Sequence, residues 1–358
     1  MTTTAQTTAA ADPAELEAFM GQVAGDVAAA FHAATVSLGD KLGLWPALAD
    51  GPATPAELAA RTGYDARYLT DWLRAQYSSG YCVRDADDRY ALTPAQAAVL
   101  ADPTAGTYLA GATTLAGVLF RDDQLTQEAL RNGRGVAWHE HHPDLFSATD
   151  RLFRPGYAAN LVACWIPALD GVGERLERGI EVADVGCGYG ASTVLLAQAY
   201  PASSFVGFDN HRPSIEAARE RAEQAGVADR VRFEVAGATG YPGTRYGLVC
   251  VFDALHDMGD PVGAARHIRR SLDPDGTFLL VEPMAAEDPA DSVDPVSRLF
   301  YSAAMFVCTA NARAQGGPHE LGNQVPDATW QRLLAEAGFS RFRRATETPF
   351  NRIFEVRP

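Results

Sequence analysis

A glycine-rich turn, GlyCysGlyTyrGly, occupies residues 186–190 between an apolar run that predicts a strand (180–186) and one that predicts a helix (191–199). Doubly wound α/β sheets bind nucleotide-type ligands at such a turn, because glycine lets the backbone approach the ligand closely. Gly186, Gly188 and Ala191 also satisfy a form of the dinucleotide fingerprint. The turn alone therefore leaves two classes of cofactor open.

Acidic residues beside this turn favour a cationic cofactor. Asp184 precedes the first glycine by two places, where a carboxylate suits a cation better than a pyrophosphate. S-adenosylmethionine (SAM) carries an ammonium and a sulfonium and no phosphate. Asp209 ends the next predicted strand (204–208), about 20 residues further on, where it can accept the ribose hydroxyls. We therefore predict SAM as the cofactor. The predicted contacts are Asp184, Gly186, Cys187, Gly188, Gly190, Asp209, Asn210, Gly237, Ala238, Phe252 and Asp253.

His256 follows the fourth predicted strand (247–252), just beyond the carboxyl edge of the sheet, where open α/β sheets bind ligands. Its ordinary pKa of about 6.5 suits proton acceptance at neutral pH. We predict His256 as a general base, oriented by Asp257 or Asp253. The alternative is that His256 only bonds loop backbone, since methylation of carbon or nitrogen can proceed without a base.

The acceptor pocket is expected from an insertion at residues 284–326, which contains an apolar helix, and from a helix and a linker before the sheet. The predicted substrate-binding residues are Phe120, Tyr157, Tyr301, Met305 and His319, with a place in the hydrophobic core as the alternative for each. No metal site is predicted. The run HisGluHisHis (139–142) lacks the spacing of a zinc-binding helix, and a His256 and His319 pair lacks a third ligand.

The elements that position these residues alternate between strand and helix from about residue 180, which predicts a Rossmann-like, doubly wound, mostly parallel seven-stranded sheet that ends in a hairpin. Before it, a helix, a turn, a second helix and a hairpin predict a mainly helical winged-helix domain. We expect a disordered tail at 1–12, a winged-helix and dimerisation domain with a long connecting helix at 13–135, and a catalytic domain at 136–358.

Composition restricts the partners. The net charge is −15 and the sequence pI is about 4.9, so the average surface repels nucleic acid and anionic membranes. The predicted recognition helix is neutral, with Arg67 and Arg74 balanced by Asp65 and Asp71. Five scattered cysteines without CxxC spacing, and no apolar run of about 18 residues, favour a cytoplasmic protein that neither is secreted nor spans a membrane.

Four stretches carry a resemblance over nearly the whole chain: VADVGCGYG, GFDNH, LHDMGDPVGAARHIRRSLDPDGTFLLVEP and TPFNRIFEVRP. They resemble a bacterial family of class I SAM-dependent methyltransferases with an N-terminal winged helix, which implies methyl transfer to a small-molecule acceptor of secondary metabolism and a homodimer. The LeuHisAsp core is also similar to small-molecule O-methyltransferases that use the histidine as base, although Met258 stands where those have tryptophan. The alternatives are a SAM-binding transcription regulator and a methyltransferase-like enzyme with non-methylating chemistry.

Overall fold

The computed structural model describes residues 11–243 and 245–358, which form two compact units, one up to Asp102 and one from Pro103 to Pro358. Of the predicted disordered tail, residues 1–10 lie outside the described residues. The remaining two residues of that tail, Ala11 and Asp12, lead into the first helix, because the Asp12 carboxylate caps this helix by accepting a hydrogen bond from the Ala14 amide. Each unit has its own core and is described separately.

The first unit is a winged helix, as predicted. Thr54 and Glu57 form a reciprocal capping box at the start of one helix, and Asp65 caps the next. The helices are α1 (Pro13–Lys41), α2 (Leu44–Ala49), α3 (Pro55–Thr62), α4 (Ala66–Ser78) and α5 (Pro94–Leu100), and the antiparallel wing consists of β1 (Val83–Arg84) and β2 (Tyr90–Ala91).

Two tryptophans fix the carboxyl-terminal half of α1 to this unit. Trp45 and Trp72 meet edge to face with ring centroids 4.8 Å apart. Their indole N–H groups donate to main-chain carbonyls of α1, Trp45 to Val36 at 3.2 Å and Trp72 to Thr35 at 3.0 Å. Each buried ring thereby satisfies its polar atom while contributing its apolar area to the core.

The second unit contains a seven-stranded sheet in the order β5-β4-β3-β6-β7-β9-β8. Strands β3 to β7 run parallel, and β9 and β8 form the closing antiparallel hairpin, which confirms the predicted doubly wound sheet. The strands are β3 (Glu181–Val185), β4 (Ser204–Asp209), β5 (Val231–Val235), β6 (Tyr246–Phe252), β7 (Leu272–Pro283), β8 (Arg341–Glu347) and β9 (Asn351–Arg357).

Helices cover both faces of this sheet, and two apolar clusters form its core. One cluster contains the fully buried Trp165, and the other contains Trp330 and Phe278. The helices are α6 (Thr113–Arg121), α7 (Asp123–Asn132), α8 (Asp144–Asn160), α9 (Val172–Arg178), α10 (Ala191–Ala199), α11 (Arg212–Gln224), α12 (Pro261–Ser271), α13 (Pro295–Ala303), α14 (Thr309–Ala314) and α15 (Asp327–Glu336).

The predicted long connecting helix at 104–131 is wrong, and so is the domain boundary placed at its end. The chain breaks between α6 and α7 at Asp122, whose carboxylate accepts hydrogen bonds from the His141 ring at 2.8 Å and the His142 amide at 3.1 Å. Because α6 packs against α8, residues 103–135 belong to the second unit.

Candidate active site

A cavity of about 420 Å³ lies in the second unit beyond the carboxyl ends of its parallel strands. Residues at or just beyond the ends of β3, β4, β5 and β6 all contribute to its wall, namely 186–189, 209–210, 236–239, 252–254 and 256–260. The strand order reverses between β3 and β6, which is the crevice where doubly wound sheets bind ligands.

The glycine turn is held in a conformation that other residues reach only with strain. Gly186, Gly188 and Gly190 all have positive φ, of 77°, 52° and 72°. A Cβ on Gly190 would lie 2.6 Å from the Phe233 ring, so this glycine also permits close packing of the turn on β5. Gly186, Cys187 and Gly188 lie in the cavity wall, whereas Gly190 lies outside it as the residue before α10.

Asp209 connects this turn to the next strand. Its carboxylate accepts hydrogen bonds from the amides of Gly188 at 2.9 Å and His211 at 2.8 Å, and it lies in the cavity wall beside Asn210. Burial raises the pKa of Asp209, although these amides partly offset the rise. The lone pairs of the Asp209 carboxylate that these amides leave unused can accept hydrogen bonds from the two hydroxyls of a ribose. Gly237 and Ala238 lie in the same wall.

Asp184 does not line the cavity, contrary to its predicted contact with the cofactor. Its carboxylate is buried beneath the turn and accepts hydrogen bonds from Ser192 Oγ at 2.7 Å and Thr193 Oγ1 at 2.6 Å. Burial raises the pKa of Asp184 to about 6, against the effect of these two hydroxyls. Asp184 therefore fixes the start of α10 and not a ligand.

The cavity wall is rich in carboxylates. Among the described residues it includes Asp150, Asp209, Asp253, Asp257 and Asp260, against the cationic side chains Arg154 and His256. Asp150 is already engaged by Arg221 through two contacts, at 2.6 and 2.9 Å. The Arg154 Nε atom lies 3.5 Å from Asp150 Oδ2, so Asp150 pairs with both arginines. A mainly acidic cavity with a guanidinium in its wall fits SAM, which carries two cationic groups and one carboxylate.

His256 lies in this wall between two carboxylates. Its Nδ1 atom lies 2.6 Å from Glu282 Oε2, and its Nε2 atom lies 3.1 Å from Asp257 Oδ1. Burial favours the neutral ring, but the two negative charges outweigh it and raise the pKa of His256 well above its ordinary value. In this arrangement Glu282 fixes the orientation of the ring through Nδ1, and Nε2 faces Asp257.

Asp253 joins three elements at the base of the cavity. It has a positive φ of 49°, and its carboxylate accepts hydrogen bonds from Tyr157 Oη at 2.8 Å and Asn351 Nδ2 at 2.7 Å. Burial is the main reason that the pKa of Asp253 rises to about 8, with Tyr157 opposing the rise and the charge of Glu282 adding to it. Phe252 lies beside it in the wall, with its ring centroid 5.3 Å from that of Tyr157.

The structure brings one of the five predicted substrate-binding residues to the cavity, Tyr157. Phe120, Tyr301 and Met305 are exposed by 73%, 41% and 49%, and all three lie outside the wall. The half-buried His319 also lies outside it and donates its amide to Gly259 O.

The predicted insertion does contribute to the cavity, but through another helix face. Leu299, Phe300, Ala303, Val307 and Cys308 line it, together with Leu115, Trp138, Leu145 and Phe146 from the segment before the sheet. None of these residues, nor Glu282, was predicted from the sequence. Glu282 could have been recognised as a candidate site residue, because it is an acidic residue within the apolar run PheLeuLeuValGluPro that ends β7.

Comparison with known families identifies the class to which this fold and site belong. Residues 176–337 match the model of a methyltransferase domain, and residues 30–102 match that of an Rv2258c-like winged HTH domain. The chain therefore carries a methyltransferase domain behind an N-terminal winged helix. The second match ends at Asp102, where the first unit also ends.

Among individual proteins, the chain is 31% identical over 170 residues to 27-O-demethylrifamycin SV methyltransferase of Amycolatopsis mediterranei, a match that covers 47% of this chain and about half (56%) of that protein. It is 28% identical over 268 residues to a phenazine O-methyltransferase of Lysobacter antibioticus, covering 69% and 74% of the two chains. The structure of human N-acetylserotonin methyltransferase in complex with SAM has a similar fold, with a TM-score of 0.69 at 18% identity, covering 98% and 99% of the two chains.

Within the described part of the chain, every helix is too short or too polar to cross a membrane.

Proposed function

We propose that this protein transfers a methyl group from SAM to a hydroxyl group of a small aromatic acceptor, with His256 as the general base. The observation that carries the proposal is the position of His256 Nε2 in the wall of one cavity that also holds the glycine turn and Asp209. SAM, when bound, supplies an electrophilic methyl group on a sulfonium. Asp209, the glycine turn and residues 237–238 would hold it, and Arg154 would pair with its carboxylate.

The apolar part of the cavity wall indicates the class of acceptor. Trp138, Phe146, Leu299, Phe300 and Val307 form an apolar, partly aromatic wall that favours a flat, weakly polar molecule. A phenolic hydroxyl directed at His256 would lose its proton to Nε2 as the oxygen attacks the methyl group. A role in secondary metabolism is part of the proposal, because the relatives of this chain include a rifamycin and a phenazine methyltransferase.

Product analysis tests this function. Purified protein is incubated with SAM carrying a trideuterated methyl group and a panel of phenols, naphthols and hydroxyquinones, and the products are examined by mass spectrometry. We expect a product that gains one labelled methyl on oxygen. His256→Asn should lower the turnover rate at least about 100-fold, the scale of general-base catalysis. The matched control is His319→Asn, whose ring lies outside the cavity and which should leave the rate unchanged.

A product formed without label would contradict methyl transfer and favour the alternative of non-methylating chemistry on the same fold. Equal rates for His256→Asn and the unsubstituted protein would remove the base from the proposal. The regulator alternative is disfavoured by α4, in which Arg67 pairs with Asp71 at 2.6 Å and leaves little charge for phosphate.

We further propose a homodimer formed through α1. Apolar side chains recur along its exposed side at helical spacing, at Leu16, Phe19, Met20, Val23, Val27, Phe31 and Leu38. At about 100° per residue they fall within one stripe, opposite to the buried Val36. A second copy places an identical stripe against this one and so removes both from water, whereas nucleic acid offers no apolar partner. A cytoplasmic location, where the five free cysteines would remain reduced, belongs to the same proposal.

A further inference from the structure

Three potential metal ligands meet in the cavity wall at the end of β6 and beside α14. The ligand atoms of His256, Asp257 and Cys308 all lie within 4.8 Å of one another. The side chains of His256 and Cys308 are almost completely buried, and that of Asp257 is 17% exposed. Cys308 lies far from His256 in the sequence and comes close to it through the fold of the insertion, so the sequence pointed only to His319 as a metal-binding partner of His256.

The groups behind these ligands are those that a metal site requires. A ligating histidine nearly always has its second ring nitrogen bonded to a carboxylate or carbonyl, which fixes the tautomer. Here Glu282 Oε2 bonds Nδ1 at 2.6 Å and leaves Nε2 directed at Asp257 and Cys308. The Asn323 amide donates to Cys308 Sγ at 3.4 Å.

An unsatisfied atom lies beside this cluster. Asn323 Oδ1 is buried and has no hydrogen-bond partner among the described residues, whereas Asp257 Oδ1 is paired with His256 Nε2 at 3.1 Å. A buried polar oxygen without a donor is costly, and a cation would satisfy it. Bound zinc holds its ligand atoms about 2.0 to 2.3 Å from the metal, so ligand atoms within 4.8 Å of one another are close to the spacing of a zinc site.

We propose that His256 Nε2, Asp257 Oδ1 and Cys308 Sγ form a binding site for Zn²⁺. Imidazole, carboxylate and thiolate together suit zinc, whereas magnesium and calcium prefer oxygen ligands. Three protein ligands leave the fourth position open to the cavity. Binding replaces the Cys308 thiol proton and any proton on Nε2, and both pass to solvent.

Occupancy has a consequence that rests on the proposed function. Zinc occupies the Nε2 lone pair that would accept the hydroxyl proton, so the metal and the acceptor compete for His256. Zinc is therefore an inhibitor of methyl transfer, and its removal by a chelator restores activity.

The test is Zn²⁺ binding to the full chain in metal-free buffer, measured by competition with a chromophoric chelator. We expect one Zn²⁺ per chain, at least about tenfold weaker binding by Cys308→Ser and by Asp257→Asn, and unchanged binding by Cys164→Ser, which removes an exposed thiol outside the cavity. Circular dichroism checks that each variant is folded. If either Cys308→Ser or Asp257→Asn fails to fold, the other variant still tests the site. With Co²⁺ in place of Zn²⁺, a sulfur-to-cobalt charge-transfer band should appear in the unsubstituted protein and be absent from Cys308→Ser.

The proposal is overturned if the unsubstituted protein does not bind Zn²⁺ stoichiometrically, if Cys308→Ser binds as tightly, or if Cys164→Ser abolishes binding. These readouts do not depend on turnover. Stoichiometric zinc binding in a protein that methylates no acceptor would support the site while contradicting the proposed function.

Discussion

At the residue scale, the chemistry depends on how the charge of His256 is set by its neighbours. Glu282 and Asp257 contact the two ring nitrogens and raise the histidine pKa, so the ring keeps its proton to a higher pH than an ordinary histidine does. A protonated ring cannot accept a second proton. The arrangement that orients the base therefore also delays its activation.

This conflict predicts the pH dependence of turnover. Because the pKa of His256 is raised, kcat/KM should be low at acidic pH and should rise as pH increases through a value above that of ordinary histidine. Asp257→Asn removes one of the two charges, so the acidic limb of the profile should move to lower pH. The measurement is kcat/KM against pH for both proteins, with the exposed Asp291→Asn as control. An acidic limb that does not move would show that Asp257 does not set the charge of His256.

Asp253 predicts how the cofactor is distinguished from its product. Its pKa of about 8 means that it is largely neutral at pH 6 and becomes negative above pH 8. SAM carries the sulfonium charge that S-adenosylhomocysteine lacks, so the affinity ratio of SAM to S-adenosylhomocysteine should increase with pH across this range. Calorimetric titration with both ligands at several pH values measures the ratio, and Asp253→Asn should flatten its dependence. A ratio independent of pH would contradict a role for this carboxylate.

At the element scale, the sequence identified the strand ends better than the helix faces. Most of the glycine turn, Asp209 and His256 lie at the cavity because a parallel strand has one carboxyl end, and the residues at that end must lie at that edge of the sheet. The helix in the insertion was also predicted, but Tyr301 and Met305 lie on its exposed side while Phe300 and Val307 face the cavity. An apolar helix does not show in its sequence which face meets a neighbour when both faces are apolar.

The face assignment can be tested by substitution. Val307→Phe should fill part of the cavity and raise the acceptor KM while leaving the affinity for SAM unchanged, because Val307 packs in an apolar cluster with Val118 and Leu145. Met305→Phe, two residues earlier on the exposed side, is the matched control and should behave like the unsubstituted protein. Equal effects of the two substitutions would show that the structure assigns the wrong face.

The glycine turn predicts a graded loss of stability. Gly190→Ala adds both the cost of a left-handed alanine, roughly 1–2 kcal/mol, and a contact with Phe233 that is too close. Gly226 has a similar positive φ of 67°, but a Cβ there would meet nothing within 4 Å, so Gly226→Ala adds only the first cost. Urea denaturation should give a larger fall in the free energy of unfolding for Gly190→Ala. Equal losses would show that close packing of the turn on Phe233 is unimportant.

At the scale of the whole molecule, the order of domains and the class of sheet followed from the sequence, but the boundary did not. Residues 103–135 have a helical pattern that suits either unit, and contacts with α8, among them those of α6, assign them to the second. Cys308 and Glu282 illustrate the same limit within the site. Their relation to His256 depends on contacts across the fold, which local periodicity and spacing do not encode.

The exposed stripe on α1 predicts the oligomeric state. Val23→Glu places a charge in the middle of the stripe and should convert the proposed dimer to a monomer, since a buried unpaired carboxylate is costly. Ala28→Glu adds the same charge on an exposed position outside the stripe and should leave the dimer intact. Size-exclusion chromatography with light scattering measures both masses. A monomeric unsubstituted protein, or a dimer that survives Val23→Glu, would contradict dimerisation through α1.

The central claim is that the cavity binds SAM, and isothermal titration calorimetry of SAM against the full chain tests it most directly. We predict one SAM per chain with micromolar affinity, about −8 kcal/mol, and a clear loss of affinity in Asp209→Ala. Asp229→Ala, which removes an exposed carboxylate outside the cavity, should bind like the unsubstituted protein. Failure of the unsubstituted protein to bind SAM, or full affinity in Asp209→Ala, would contradict the account.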